Sequence, residues 1–154
     1  MMLSPFTNET KLMKKLLLLL AICLTLSCKK DLDKKLSSKD WRVESVTVSP
    51  AMTSGNKTST DYLELMGPQS CAATTILTFS DKGIFTSGSN GALCDLFYDP
   101  NSKPVTWTRE GEQITISSSP QSPFTLKGNK LTRTTTTTSA GGTVYTFEYV
   151  YKAQ

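Results

Sequence analysis

The stretch Val144-Tyr145-Thr146-Phe147-Glu148-Tyr149-Val150-Tyr151-Lys152 decides the fold class. Successive side chains of a β-strand point to opposite faces. Tyr145, Phe147, Tyr149 and Tyr151 therefore share one face, and Val144, Thr146, Glu148 and Val150 the other. In a helix the same spacing would throw successive rings roughly 200° apart. An aromatic face of this kind belongs against a core.

Working back from this strand, the same period recurs between turn residues. Ser139-Ala140-Gly141-Gly142 leads into a strand at 130–138, and Gly128-Asn129 joins that to 124–127 as a hairpin. Residues 113–117 and 105–109 flank Glu110-Gly111-Glu112; Ile114 and Ile116 share one face, as do Val105 and Trp107. Asp81-Lys82-Gly83 turns 75–79 into 84–87, a further strand is expected at 93–98, and 41–48 opens the series. Only 61–66 has the makings of a short helix.

About eight strands follow, joined mainly by connections too short for crossovers. Sequential strands are then antiparallel neighbours. The expected fold is all-β, an eight-stranded antiparallel meander that hides its edges by closing into a barrel. The alternative is a β-sandwich, which the same strand count permits.

The N-terminus is of another kind. Lys14 and Lys15 precede an apolar run from Leu16 to Leu26. Eleven residues are too few to span a bilayer as a helix, which takes about 20, but suit a secretory signal. Met13 is the expected start, and 1–27 the expected signal peptide. The run ends in Thr25-Leu26-Ser27-Cys28, followed by Lys29-Lys30-Asp31-Leu32-Asp33-Lys34-Lys35. A small residue before a cysteine at this point resembles a bacterial lipobox. The resemblance implies that Cys28 is lipidated and becomes the mature N-terminus, holding the chain on a membrane. A single acyl chain binds only marginally; the modification implied by the resemblance supplies more than one. Lysine after Cys28 favours, by the same resemblance, the outer membrane, on its periplasmic face or the cell surface. Residues 28–40 read as a solvated tether and 41–154 as the domain.

Export loses Glu9, Lys11, Lys14 and Lys15, so the net charge of +4 falls to +2. The remaining cations are scattered, which argues against nucleic acid as a partner. Cys71 and Cys94 are an even pair in an exported chain, expected as a disulfide closing a loop of about 23 residues. A two-cysteine metal site is the competing reading, but the chain holds no histidine to complete one. Without histidine there is no imidazole base and no Ser-His or Cys-His nucleophile pair. The glycine turns lack phosphate-loop spacing. The expectation is a protein without enzymatic activity, cofactor or metal.

A lipobox, a charged tether, the early strand Asp40-Trp41-Arg42-Val43 and a Cys71-to-Cys94 segment containing Phe79-Ser80-Asp81-Lys82-Gly83 occur in that order. Thr106-Trp107-Thr108 and the closing aromatic strand complete a layout that resembles bacterial lipocalin-like lipoproteins. The resemblance spans most of residues 28–154. It implies a lipocalin-like barrel, a long first loop (49–74) across the open mouth, and an arginine over the first-strand tryptophan, for which Arg133 is the candidate. The expected role is binding of a small apolar ligand in an interior lined by Trp41, Phe79, Trp107, Tyr145, Phe147 and Tyr149. The alternative is an envelope accessory or protein-interaction subunit whose interior those side chains fill.

Cys28→Ala should abolish incorporation of labelled palmitate into the exported protein. The parent chain should start at Cys28 and carry the lipid mass. An unmodified Cys28 thiol in the parent would refute the anchor.

Overall fold

The computed structural model describes residues 31–90, 94 and 103–154. The signal segment and Cys28 lie outside the described residues, as does the strand expected at 93–98 apart from Cys94, which sits in a 3₁₀ turn. The last strand, β9 (Val144–Ala153), forms where its alternation predicts. Phe147 and Tyr151 are buried on its inner face, and Tyr145 and Tyr149 half-buried.

Nine strands precede or include it: β1 (Asp40–Ser54), β2 (Lys57–Asp61), β3 (Thr75–Phe79), β4 (Phe85–Ser89), β5 (Trp107–Glu110), β6 (Gln113–Ile116), β7 (Phe124–Lys127), β8 (Lys130–Thr138) and β9. Their order in one antiparallel sheet is β4-β3-β1-β9-β8-β7-β6-β5, with β2 paired to β1 alone. The two ends of that path meet. Ile84 bridges Thr106, the Phe85 amide donates to the Val105 carbonyl at 2.8 Å, and the Trp107 amide donates to Gly83 at 2.9 Å. Eight strands thus curl into a barrel closed nearly all round. A sheet that meets itself in this way is not a sandwich of two facing sheets.

Strand β1 carries the least obvious adjustment. Its register with β9 slips between Val43 (opposite Tyr151) and Ser45 (opposite Val150), so Glu44 is an extra residue. This β-bulge changes the parity of the inner face. Trp41 faces inward before it, Val46 and Val48 after it, all at 1% exposure or less. Glu44 itself turns outward and pairs with Lys130 of β8 at 2.7 Å. The hydrogen bond from Lys130 holds the Glu44 carboxyl below the usual carboxylate range.

The barrel has two unlike ends. At one, β5–β6 and β7–β8 are joined by two-residue turns, Gly111-Glu112 and Gly128-Asn129. Gly111 and Gly128 both sit at φ +59°, a left-handed conformation that glycine adopts without steric cost. At this end Trp41, Phe79, Ile114, Phe124 and Leu131 are essentially inaccessible, each contributing about 1.5–3 kcal/mol by burial. The other end carries the longer connections.

Two expectations are corrected. Residues 31–37 are helical rather than a solvated tether. Leu36 groups with the barrel strands, and 31–35 fall in a separate N-terminal unit. Leu36 is fully buried, and its carbonyl accepts the Trp41 indole N–H at 3.0 Å. A single leucine among lysines and aspartates has no period to betray it; the buried indole donor needs that carbonyl.

Nor is 49–74 a plain loop. β1 runs on to Ser54 and folds back through Gly55-Asn56 into β2. Helix α1 (Tyr62–Met66) follows, capped by the Asp61 carboxylate, which accepts from the Glu64 amide at 3.0 Å. The short helix falls where the sequence suggested one. Its Tyr62 and Leu63, with Met52 of β1, pack on Val46, Val48 and Phe147.

Leu36→Ala should cost about 2–5 kcal/mol, read as a lower urea midpoint with an unchanged slope. A change under about 0.5 kcal/mol would mean that Leu36 does not belong to the core.

Candidate functional site: the barrel interior

Strand pairing fixes which side chains look inward. Trp41 and Phe79 are wholly buried and Trp107 half-buried. Phe79 touches Phe85 (5.1 Å between centroids), and meets Trp107 (5.8 Å) and Phe124 (6.1 Å) edge-on. Phe124 in turn meets Tyr151 at 5.9 Å. Each such ring pair adds about 0.5–1.5 kcal/mol beyond burial. Both indole donors are already used, Trp41 on Leu36 and Trp107 on the Ser80 carbonyl at 3.0 Å. These three of the six predicted lining residues plug the tight-turn end.

The other three lie towards the opposite mouth. Phe147 meets Tyr62 of α1 edge-on at 5.0 Å and stacks on Tyr149 at 6.3 Å; Tyr149 stacks on Tyr151 at 6.2 Å, the rings within 10° of parallel. The β9 face is thus a continuous ladder of rings joining the two clusters. On the α1 side it is covered. Elsewhere it is not: Tyr145 and Tyr149 are half-buried, and inward-facing Thr137 of β8 and Ser87 of β4 are exposed.

β8 contributes Leu131, Thr135 and Thr137, which sequence reasoning missed, and Arg133, which it named only as a cover for Trp41. Leu131, Arg133, Thr135 and Thr137 lie opposite Tyr151, Tyr149, Phe147 and Tyr145, hence on the inner face. Arg133 was expected over Trp41; instead its Cζ lies 4.9 Å from the centre of the Phe124 ring. Its Nε donates to the Ser122 carbonyl at 3.0 Å, anchoring the β6–β7 connection. The signal for it lay in the strand parity of 130–138, had the register with β9 been known.

Burial, opposed chiefly by a hydrogen bond with Thr135, pushes the Tyr149 phenol up; nearby Tyr62 adds to the rise and Arg133 subtracts from it. Burial raises Tyr151 much further, with Tyr149 adding and Arg133 again opposing. The mouth therefore combines stacked rings with the phenols of Tyr62, Tyr145 and Tyr149, hydroxyls and one guanidinium.

The Cys71–Cys94 disulfide, with Cα atoms 5.5 Å apart, ties the segment before β3 to the connection after β4. Ser89 Oγ lies 2.6 Å from Thr74 Oγ1 and 3.0 Å from the Cys71 carbonyl. The 23-residue separation makes the bridge worth about 3 kcal/mol on the chain-entropy account, fastening one side of the mouth. Open depressions lie elsewhere, one of them lined by Gln113, Ser122, Thr132, Arg133 and Glu148 on the polar outer wall. Among the described residues no three His, Cys, Asp or Glu gather as a metal site.

Because Tyr151 stays protonated when folded, stability is full below about pH 10 and falls as pH rises above it, where only the unfolded chain ionises. Tyr151→Phe should flatten this alkaline decline in the denaturation midpoint between neutral pH and pH 11. An unchanged slope would place Tyr151 in contact with water.

No protein-family model, no curated protein and no solved structure matches this chain.

Proposed function

We propose that this protein is an exported lipoprotein, anchored through Cys28 to the outer membrane, whose lipocalin-like barrel binds a small apolar ligand. One observation carries the ligand: both ends hold buried side chains, but beside the Val46–Val48–Phe147 cluster at the mouth several inward-facing residues stay partly exposed. Trp41, Phe79 and Phe124 leave no room at the tight-turn end. At the mouth, inward-facing Tyr145, Tyr149, Thr135 and Thr137 keep part of their surface exposed. An apolar cleft with a few convergent polar groups is the usual form of a small-molecule site. The role is binding, with no catalytic step.

The anchor is supported by the Lys-Lys, leucine-rich, Ser27-Cys28 sequence and by the disulfide, which suits an oxidising compartment. The second reading, an envelope accessory or interaction subunit without a ligand, draws on the buried clusters of the same barrel.

Residues 28–154 carrying Cys28→Ser, with the disulfide formed, should bind the neutral probe N-phenyl-1-naphthylamine saturably at one site. Thr137→Trp, at an exposed inward position, should fill the mouth and abolish binding without loss of stability. Binding that never saturates, or that survives Thr137→Trp, would leave the interaction-subunit reading in its place.

A further inference from the structure

The register of the closed barrel gathers cations that the sequence scatters. Arg42 of β1 lies opposite Lys152 of β9, Lys152 opposite Lys130 of β8, and Lys130 opposite Lys127 of β7. Each is the outward neighbour of a buried residue (Trp41, Tyr151, Leu131 and Leu126 in turn), and all four are exposed. Four positive side chains therefore stand in one row across four adjacent strands. Like charges directly opposite each other destabilise a sheet, whereas opposite charges support it. Of the four, only Lys130 has an ion pair among the described residues, with Glu44, on which the Lys152 charge also acts. Asp40, which accepts from the Thr78 hydroxyl at 3.1 Å, and Glu112 flank the row without interrupting it. Lysines often guard sheet edges, but each of these strands has a neighbour on both sides. Alternating signs would serve solubility as well. Packing alone does not call for four like charges in register.

The row rims the end of the barrel at which the chain enters. Lys127 and Lys130 close the Gly128-Asn129 turn, and Arg42 is the third residue of β1. Leu36 is buried at the same end, its carbonyl on the Trp41 indole. Leu36 follows Cys28 by eight residues, which reach about 28 Å at full stretch. β1, 15 residues long, carries its far tip roughly 45 Å from that end. A lipid on Cys28 therefore keeps the tight-turn end within reach of the membrane, and the mouth beyond it. We infer that the row Arg42, Lys152, Lys130 and Lys127 docks on the anionic phospholipid head groups of the bilayer that holds Cys28, with the mouth facing away. This rests on the anchor reading above and specifies the geometry of the anchored protein. Each cation near an anionic lipid surface adds to attachment, within about a Debye length. Neighbouring strands lie about 4.8 Å apart, so the row spans about 15 Å and brings its charges to the surface together. At the mouth, by contrast, Lys57 is paired with Glu64 at 2.8 Å. The acyl chains hold the protein to the membrane; the row sets which end meets it.

The test sediments the Cys28→Ser form of residues 28–154, disulfide formed, with vesicles of phosphatidylcholine or of an equal mixture with phosphatidylglycerol. The mixed vesicles should bind at least about tenfold more tightly at low salt, and about 0.5 M salt should remove the difference. Arg42→Gln, Lys127→Gln and Lys152→Gln together should weaken binding to the mixed vesicles about tenfold. The same variant should unfold at no lower urea concentration, because it relieves like-charge contacts. Lys29, Lys30, Lys34 and Lys35 are common to parent and variant, so their own attraction cancels in the comparison. An unchanged affinity in the triple variant overturns the inference and leaves the tether as the basic element. Equal binding of the two vesicles by the parent overturns it without any variant. Orientation is read on the lipidated parent by amide exchange: mixed vesicles should slow the 128–129 turn and leave 140–142 unchanged. Slowing at 140–142 in place of 128–129 overturns the inference. Absence of lipid on Cys28 in the exported protein removes the anchor reading and the stated orientation with it. Lipid on Cys28 with equal vesicle binding overturns the inference alone.

Discussion

Pairing of β1 with β9 joins the first barrel strand to the last. A meander left open there would expose two unpaired edges and uncover the aromatic face of β9. The ladder runs from Trp41 opposite Ala153 to Ser49 opposite Thr146, and the remaining strands follow by hairpin succession. It also imposes a demand. β1 must present Trp41 to one end of the interior and Val46 and Val48 to the other, and a regular strand cannot do both. The extra residue at Glu44 resolves this, and its carboxylate finds Lys130 on the outside.

The same connectivity gives the barrel two unlike ends. Two-residue turns bring strands together at minimal length, so the tight-turn end closes over with little to spare. Leu36, both tryptophan donors and the Phe79–Phe124 cluster complete that plug. Longer connections gather at the other end, together with α1 and the disulfide.

Within that mouth, position governs charge. Arg133 tolerates an inward site because a ring face, a backbone carbonyl and solvent each meet part of its requirement. Its field also bears on Tyr149 and Tyr151, opposing the rise that burial produces in both. Rings, phenols and guanidinium form one electrostatic unit rather than independent lining residues.

Local alternation was enough to identify β9, the Ile114–Ile116 face and the glycine hairpins at 111 and 128, because each depends on near neighbours, and the 71–94 disulfide was legible from the few cysteines available to pair. Strand parity also put Tyr145, Phe147, Tyr149 and Tyr151 on one face, but Phe85 and Phe124, which join the same ring cluster, were not among the six lining residues expected. What no local pattern contains is the register between distant strands. The bulge at Glu44 and the inward side of Arg133 depend on how β1 and β8 meet β9. Leu36 is buried only because the Trp41 indole, five residues on, needs a carbonyl at the end of a closed barrel. The continuation of β1 past Ser49 depends on a partner, β2, that carries little apolar signal of its own. The amino-acid sequence by itself determined that the chain makes antiparallel strands with one aromatic face. Only the tertiary structure decided which half of the interior those rings would fill, because filling depends on what the opposite strand brings to the same volume.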